Sequence, residues 1–392
     1  MGFTPVCSAN TVLLCGAIFG IIVILPSGLM NKEVIPVCQC EPRLEFFANG
    51  GRNCNNDILF EQISKSQESI RIIISESYFN DFGNDLRALL LRKKKEGLDI
   101  KILSSIKGFS FPECNIREFF IPGKKISIFL FVFDRKSIYI PSSASFIGEK
   151  ENIGSNHSSF ALFVRQCLSL AEDAWNLFDF LWNLANNPNL STIKRIWYPN
   201  FSYPSLHVVR ESCFNNDFDN PPNSRPFLKF SLSKGIQIQG RNTILSEILS
   251  LIGNRDSQDL KIYSPELIHS SMYGQPKGDA HQFFANIEKL SETPSNIEFF
   301  IGEHDFGRNF QYYKRINWMV QSTFRPMKVY SGATIITSGK WTFLAPVPLS
   351  EILNESVITF GITIQDFMVL SEASMLFYHK WDSIEPYNLA SS

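Results

Sequence analysis

Two segments of the sequence, about 200 residues apart, share a spacing that strongly constrains how this chain can fold. LFDFLW (177–182) and LFYHKW (376–381) both contain Leu-Phe-x-x-x-Trp, and each ends a helix-like stretch that follows a strand-like run. Upstream of each segment the order helix, strand, helix, strand is also the same. The period is too long for a solenoid, which repeats every roughly 20 to 50 residues. The sequence therefore predicts an α/β, bilobal chain: two similar units with mixed sheets flanked by helices, related by a pseudo-twofold axis.

The individual elements follow from hydrophobic periodicity and from stop signals. SIRIIIS is typical of a buried strand, LDIKIL alternates like a half-buried one, and DLKIYS and NIEFFI are their counterparts in the second unit. A helix predicted from Asn84 to Glu96 stops at Gly97, a residue that favours the position after a helix end. The basic run Arg92–Lys95 lies in its last turn, where cations complement the helix dipole in solvent.

The chain begins with an apolar segment that separates from the globular part. Val12 to Leu25 is an uninterrupted apolar run of 14 residues, shorter than the roughly 20 that a spanning helix needs. This length favours a signal peptide, but no Lys or Arg precedes the run, so a short uncleaved anchor remains an alternative. The predicted organisation is a signal peptide or anchor at 1–30, a first unit at 31–200, a linker at 201–226 and a second unit at 227–392.

Cysteine and sequon usage favours an oxidising, secreted or lumenal location. Six cysteines follow the apolar segment, and an even number is typical of disulfides, with the pairing left open. Four Asn-x-Ser/Thr sequons are candidate glycosylation sites: Asn156, Asn189, Asn200 and Asn354. The formal net charge of −1 gives no basic field of the kind that attracts nucleic acid.

Several short segments, in this order, resemble one known family: CQCEPRLEF, LRKKKEGLDIKIL, FVFDRKSIYIPSSAS, RQCLSLAEDAWNLFDFLW, TSGKW and KWDSIEPYNL. From about Cys38 to Leu389 the chain resembles the phospholipase D superfamily, most closely its lumenal or secreted eukaryotic branch, which includes 5′ exonucleases and an inactive paralogue. The resemblance implies that Cys167 bonds to Cys38 or Cys40. A parasite excretory–secretory antigen is one context that fits this profile.

In that family each half contributes one His-x-Lys-x-x-x-x-Asp motif. One histidine attacks phosphorus, the other protonates the leaving oxygen, and the lysines hold the nonbridging oxygens of the transition state. If Asp134 is the acid of the first motif, Ser127 takes the histidine position and Phe129 the lysine position. The resemblance implies that Asp134 keeps only a structural role, either capping backbone amides at the turn or pairing with Arg135 or Lys136.

The second motif is degenerate as well. FRPMKVYSGATIITSGKW places Pro326 at the histidine position and Lys328 at the lysine position, with the acid near Ala333. No histidine anywhere in the sequence is followed by lysine two residues later. The resemblance therefore implies that the phosphodiesterase reaction of the family is absent.

We expect a catalytically inactive, secreted or lumenal protein that acts by binding an unknown protein or glycan. No cofactor or metal is expected, a membrane is a partner only if the N-terminal segment is retained, and a homodimer is an open alternative. The rival hypothesis is a phosphodiesterase or other hydrolase with a rebuilt site, at Ser127 or at the pair His304 and Asp305. A purely structural glycoprotein is the third hypothesis.

Overall fold

The computed structural model describes residues 40–48, 54–75, 83–111, 113–141, 158–186, 196–198, 227–234, 236–238, 243–253, 259–268, 278–290, 296–320, 322–327, 333–354 and 356–376. Residues 1–39, the predicted linker and the sequons at Asn156, Asn189 and Asn200 lie outside the described residues, as do Cys38 and Lys328. Among the described residues, no helix combines the length and the apolar character that crossing a bilayer requires.

The first unit contains most of its strands in one sheet. Its elements are β1 (Glu41–Ala48), α1 (Cys54–Lys65), β2 (Ser69–Ile74), α2 (Gly83–Lys95), β3 (Asp99–Ser104), β4 (Asn115–Glu118), β5 (Lys125–Ile126), β6 (Leu130–Phe133), β7 (Ser137–Pro141), β8 (Ser158–Arg165), α3 (Leu168–Leu184) and β9 (Ile196–Tyr198).

The second unit repeats this succession with two additional helices after its third main strand. Its elements are β10 (Phe227–Leu232), β11 (Ile236–Ile238), α4 (Ile244–Ile252), β12 (Asp259–Ser264), α5 (Gly278–Lys289), β13 (Asn296–Gly302), α6 (Glu303–Arg308), α7 (Phe310–Val320), β14 (Thr323–Met327), β15 (Thr334–Ser338), β16 (Trp341–Ala345), α8 (Leu349–Ile352), β17 (Val357–Ile358), β18 (Phe360–Gln365) and α9 (Phe367–Leu376).

The two seven-stranded sheets have the same strand order. The first is β1-β8-β7-β6-β2-β3-β4 and the second is β10-β18-β16-β15-β12-β13-β14. Numbered within its own unit, each sheet has the order 1-7-6-5-2-3-4, and in each the second, third and fourth strands are parallel while the other pairs are antiparallel. The predicted fold class, two similar α/β units with mixed sheets and flanking helices, is confirmed.

Local sequence explains why these elements form. β2 is buried along its whole length, as expected of a central strand between two layers of helices. α2 ends at the basic run, and Gly97 has a φ of 96° while its N–H donates to Lys94, so the predicted helix end is observed. α4 is capped at its N-terminus by Thr243, whose hydroxyl accepts the N–H of Ser246 at 3.2 Å.

The last helix of each unit packs across to the first strand of the other unit. α3 lies on the first sheet and also contacts β10, while α9 lies on the second sheet and also contacts β1. Side chains of α3, α9, β10 and both sheets share one buried core, which includes Phe178, Phe230 and Val369. The two sheets therefore stand side by side, with α3 and α9 between them.

A disulfide ties the beginning of β1 to the beginning of α3. Cys40 and Cys167 are bonded, with an S–S distance of 2.00 Å across a sequence separation of 127 residues. The structure thus bonds Cys167 to one of the two partners that the resemblance implies. Among the described cysteines, Cys114 is a free thiol whose pKa burial raises to about 11.

Candidate functional site

The two units meet through a short parallel pairing that places the first motif at their boundary. β5 pairs with β17, and beyond it the N–H of Ser127 donates to the carbonyl of Ile358 at 2.8 Å. The hydroxyl of Thr359 donates to the carbonyl of Ser127 at 2.7 Å. We call this group, Lys125–Ser127 with Val357–Thr359, the seam. The seam residues precede β6 and β18 in the chain. They therefore lie at the end of the two sheets that contains the carboxyl ends of the parallel strands.

A carboxylate from the second unit occupies the seam beside the predicted histidine position. The hydroxyl of Ser127 lies 3.1 Å from one oxygen of Glu351, and the ammonium of Lys125 lies 2.8 Å from the other. Glu351 belongs to α8, which follows β16, so this contact joins residues 224 positions apart. Ser127 is 5% exposed. The site therefore presents the hydroxyl of Ser127 and a carboxylate that is paired with the ammonium of Lys125. The phosphodiesterase chemistry needs an imidazole and cations that are free to bind the phosphate oxygens.

Phe129 contributes to the core rather than to the seam. Its ring is 7% exposed and packs in the apolar cluster between the first sheet and its outer helices. A lysine at this position would bury its ammonium among hydrocarbon side chains, which carries a large desolvation cost. The lysine position of the first motif is thus filled by an apolar side chain that stabilises the unit.

Asp134 lies at the opposite end of the strand and caps three backbone amides. Its carboxylate accepts the N–H groups of Gln67, Glu68 and Ser69 at 2.9, 2.9 and 2.8 Å. These amides belong to the connection between α1 and β2, so the carboxylate ties the β6–β7 turn to the start of the neighbouring strand. Of the two roles expected for it, amide capping is the one observed, and the guanidinium of Arg135 instead stacks over a tryptophan of α3 at 4.4 Å.

The conformation of the β6–β7 turn suits the residue at this position. Asp134 and Arg135 have φ values of 49° and 54°, and the N–H of Lys136 closes the turn on the carbonyl of Phe133 at 2.9 Å. Aspartate tolerates positive φ better than most residues with a side chain. Asp134 therefore suits the backbone geometry of the turn and caps amides there, at a distance from the seam.

The ladder registers show which residues of the second unit correspond to the first motif. β2 and β12 are equivalent strands; Ile70 in the first is opposite Phe133, and Leu260 in the second is opposite Ser338. Phe133 and Ser338 are therefore equivalent, each being the last residue of its strand.

Counting from these two residues gives the counterparts. Phe129 corresponds to Thr334, Asp134 corresponds to Gly339, and the counterpart of Ser127 is position 332, outside the described residues. Thr334 is fully buried and its hydroxyl donates to the carbonyl of Val347 at 2.8 Å. Neither described counterpart carries a positive charge.

The alignment of the second motif on Pro326 is corrected by this register. Pro326 lies in β14, the edge strand, opposite Ile301, and so it is not the counterpart of Ser127. A proline lacks the N–H that a central strand needs, and an edge position accommodates it. The β15–β16 turn, Gly339–Lys340, is one residue shorter than the β6–β7 turn, and the sequence alone does not show where that difference falls.

Asp305, one member of the alternative acid/base pair, is a buried structural group. Its carboxylate accepts the N–H of Leu267 at 2.9 Å, the hydroxyl of Tyr313 at 2.6 Å and the amide of Asn309 at 2.6 Å. Burial raises the pKa of this carboxyl, and the hydrogen bonds partly oppose that effect. These contacts join α6, α7 and the segment after β12.

His304, the other member, faces solvent and contacts a different residue. Its ring nitrogens lie 3.1 and 3.2 Å from the guanidinium of Arg308, one turn further along α6. Consecutive helical residues point about 100° apart, so His304 and Asp305 diverge. The structure therefore does not bring this pair together as an acid/base dyad. Within the described ranges, no three His, Cys, Asp or Glu side chains cluster closely enough to hold a metal ion.

The arrangement of the two units matches that of known enzymes. Phosphatidylserine synthase of Haemophilus influenzae Rd KW20 superposes with a TM-score of 0.58 and 12% identity, over 88% of this chain and 87% of that one. The chain has a phospholipase D-like fold. Polyphosphate kinase of Porphyromonas gingivalis superposes with a TM-score of 0.53 and 10% identity, over 90% of this chain and 54% of that one.

At these identities the likeness concerns the phospholipase D-like fold alone. No family model matches the sequence, and no curated protein matches it. What the chain does must accordingly be inferred from its own residues at the seam.

Sequence reasoning missed Glu351. It lies in a four-residue helix with no motif around it, and its partner Ser127 is far away in the sequence. The only available signal was indirect: a serine in a buried apolar strand needs a hydrogen-bond partner, which the sequence does not name.

Proposed function

We propose that this protein is a catalytically inactive, secreted or lumenal member of the phospholipase D superfamily that acts by binding a protein or glycan partner. The observation that carries the proposal is the contact of Ser127 with Glu351 at the seam. A phosphodiester is an anion, and the attacking group in this superfamily is an imidazole supported by cations. Here the equivalent place holds the hydroxyl of Ser127 instead of an imidazole, and the nearby ammonium of Lys125 is paired with Glu351.

The charge balance of the seam adds support. Lys125 lies two residues before Ser127, and its ammonium is paired with Glu351 at 2.8 Å. The lysine positions of both motifs are occupied in the described structure by Phe129 and Thr334, whose side chains are uncharged and buried. Losing both the nucleophile and the cations removes a reaction route as well as its stabilisation, so turnover at the level of the uncatalysed background is expected.

The secreted or lumenal location rests on the apolar N-terminal run, the Cys40–Cys167 bridge and the sequons. One sequon lies within the described residues: the side-chain oxygen of Asn354 accepts the N–H of Ser356 at 2.9 Å in the turn before β17. A glycan at Asn354 would stand near Glu351, since the N–H of Asn354 bonds to the carbonyl of that residue.

The test is an assay of the purified chain on single-stranded DNA, on phosphatidylcholine and on a chromogenic phosphodiester, between about pH 4 and pH 8, the range in which histidine titrates. No turnover above background is expected from the unmodified protein. Turnover that persists in Ser127→Ala but disappears in His304→Ala would overturn the proposal and establish a hydrolase with a rebuilt site. Turnover lost in Ser127→Ala would instead assign the nucleophile to the seam.

A further inference from the structure

The end of the molecule opposite the seam carries an apolar surface. β6 runs away from the seam and turns at Asp134, and the ladder pairs Ile138, just after this turn, with Val164 near the end of β8. In the second unit, Thr342 follows the equivalent turn and pairs with Ile364 near the end of β18. Both α3 and α9 therefore begin at the end opposite the seam, which we call the far end.

The far ends of the two units belong to one side of the molecule. α3 and α9 lie between the sheets, and the N–H of Leu44 in β1 donates to the carboxylate of Glu372 in α9 at 2.9 Å. β1 starts at the far end, because Glu41 pairs with Arg165 at the end of β8. Since the seam joins the two units at the opposite end and their helices pack side by side, the two far ends face the same way.

Three large apolar side chains are exposed there. Phe367 is 78% exposed, Met368 is 60% exposed and Leu168 is 49% exposed, whereas most hydrophobic side chains of this size in the described residues are buried. The register that equates Val164 with Ile364 also equates Leu168 with Met368, so both helices present an apolar residue in their first turn. Such a group of exposed apolar residues at one end of a protein marks an interaction surface.

Charged side chains of both signs surround this surface. Lys136 in the β6–β7 turn and Lys340 in the β15–β16 turn are exposed at the same end, and so is Glu41 at the start of β1. Asp366, next to Phe367, caps α9. Exposed apolar side chains among charges of both signs fit the boundary between the headgroups and the acyl chains of a bilayer.

The course of the chain leads to the same partner. Cys40 is held at the far end by its bond to Cys167, which directly precedes Leu168. In the sequence, only residues 26–39 separate Cys40 from the apolar run Val12–Leu25. Fourteen residues span at most about 50 Å when fully extended, so a bilayer that retains this run lies within that distance of Cys40 at the far end.

We propose that the far end, with Phe367, Met368 and Leu168 as its contact residues, lies on a lipid bilayer surface. The seam then faces away from the membrane, toward the lumen or the extracellular space. The inference rests on the anchor alternative, in which the apolar run Val12–Leu25 is retained, and it is separate from the proposed inactivity because the contact residues and the seam are at opposite ends of the molecule.

The experiment places a photocrosslinking analogue of phenylalanine at position 367 of the full-length chain. The protein is reconstituted with vesicles of phosphatidylcholine and phosphatidylserine, illuminated, and analysed by mass spectrometry for lipid adducts. The matched control carries the same analogue at position 120, since Phe120 is 66% exposed and follows β4 at the seam end. Both positions are exposed, so the substitutions leave the core intact.

The expected result is about tenfold more lipid adduct at position 367 than at 120, because burying an aromatic side chain in the interface favours contact by at least the free energy of a tenfold ratio. Equal labelling at the two positions, or no lipid adduct at 367, would overturn the proposal. Crosslinking of position 367 to a second copy of the chain or to another protein would also overturn it and assign the surface to that occupant.

Discussion

Replacing Asp134 by alanine should destabilise the first unit although the residue lies at the end of the strand opposite the seam. The substitution removes the acceptor for three amides, of which the N–H of Ser69 is partly buried and those of Gln67 and Glu68 are exposed. A charge-assisted bond to a partly buried amide contributes about 1.5–3 kcal/mol, and an exposed amide can turn to water at little cost. Alanine at a φ of 49° adds about 1 kcal/mol of strain.

These contributions together give an expected loss of about 2.5–4 kcal/mol in the free energy of unfolding for Asp134→Ala. Asp134→Asn keeps one acceptor oxygen and a residue that tolerates positive φ, so its expected loss is smaller, about 1 kcal/mol. Asp134→Gly relieves the backbone strain but loses every capping bond, and it should fall between the two.

The assay is urea-induced unfolding followed by tryptophan fluorescence and by circular dichroism, with the disulfide intact. Coincidence of the two probes is required before a free energy is extracted, because a chain with two units can depart from two-state behaviour. Lys136→Ala serves as the control, since it changes an exposed side chain in the same turn. If Asp134→Ala is as stable as the control, or if Asp134→Asn loses as much as the alanine variant, the capping argument is wrong.

Three other measurements test separate parts of the structure. Peptide mapping under non-reducing conditions should recover Cys40 linked to Cys167, and removing the bridge should cost up to about 4–5 kcal/mol on the chain-entropy model; a free Cys167 would refute it. Burial raises the pKa of Asp305 in the folded protein, so the folded state binds a proton more tightly than the unfolded state. The difference in melting temperature between the unmodified protein and Asp305→Asn should therefore shift against the unmodified protein as pH rises from about 4 through the folded-state pKa. A difference that stays constant with pH would contradict this. Arg71→Met should destabilise the first unit by about 1–3 kcal/mol in chemical unfolding, because the buried guanidinium stacks on a tryptophan at 4.1 Å and pairs with a carboxylate at 2.6 Å; an unchanged midpoint would show that these contacts contribute nothing net.

The sequence was sufficient for the architecture because both units use strong local patterns. Runs such as SIRIIIS and VITFGITI have the periodicity of buried strands, and Gly97 stops a helix by its backbone freedom. The order of these elements, repeated with Leu-Phe-x-x-x-Trp, then limits the topology to two similar units. The identical strand order of the two sheets confirms this prediction.

The site was predictable only where a local signal existed. Asp134 follows a strand directly, so its position at the turn and its capping role could be inferred from the sequence. Thr334 and Glu351 could not, because strand register and contacts between distant residues depend on tertiary packing that no local pattern encodes. The second alignment was placed on Pro326, six residues before the counterpart of Ser127, because Lys328 offers a lysine two residues after the proline and strand register leaves no local signal.

The last helix of each unit packs against the first strand of the other unit, and this packing has a consequence for synthesis of the chain. The bond between Leu44 and Glu372 joins residues 328 positions apart, and α9 contacts the edge strand β1. The last strand of the first sheet, β8, ends at Arg165, about 200 residues before Glu372. At about 5–20 residues per second, a ribosome needs roughly 10 to 40 seconds to make this stretch. During this time the first sheet has all of its strands but lacks the helix that packs against β1, so the β1 edge stays uncovered. The nascent chain is thus expected to depend on chaperones until its last helix has been translated.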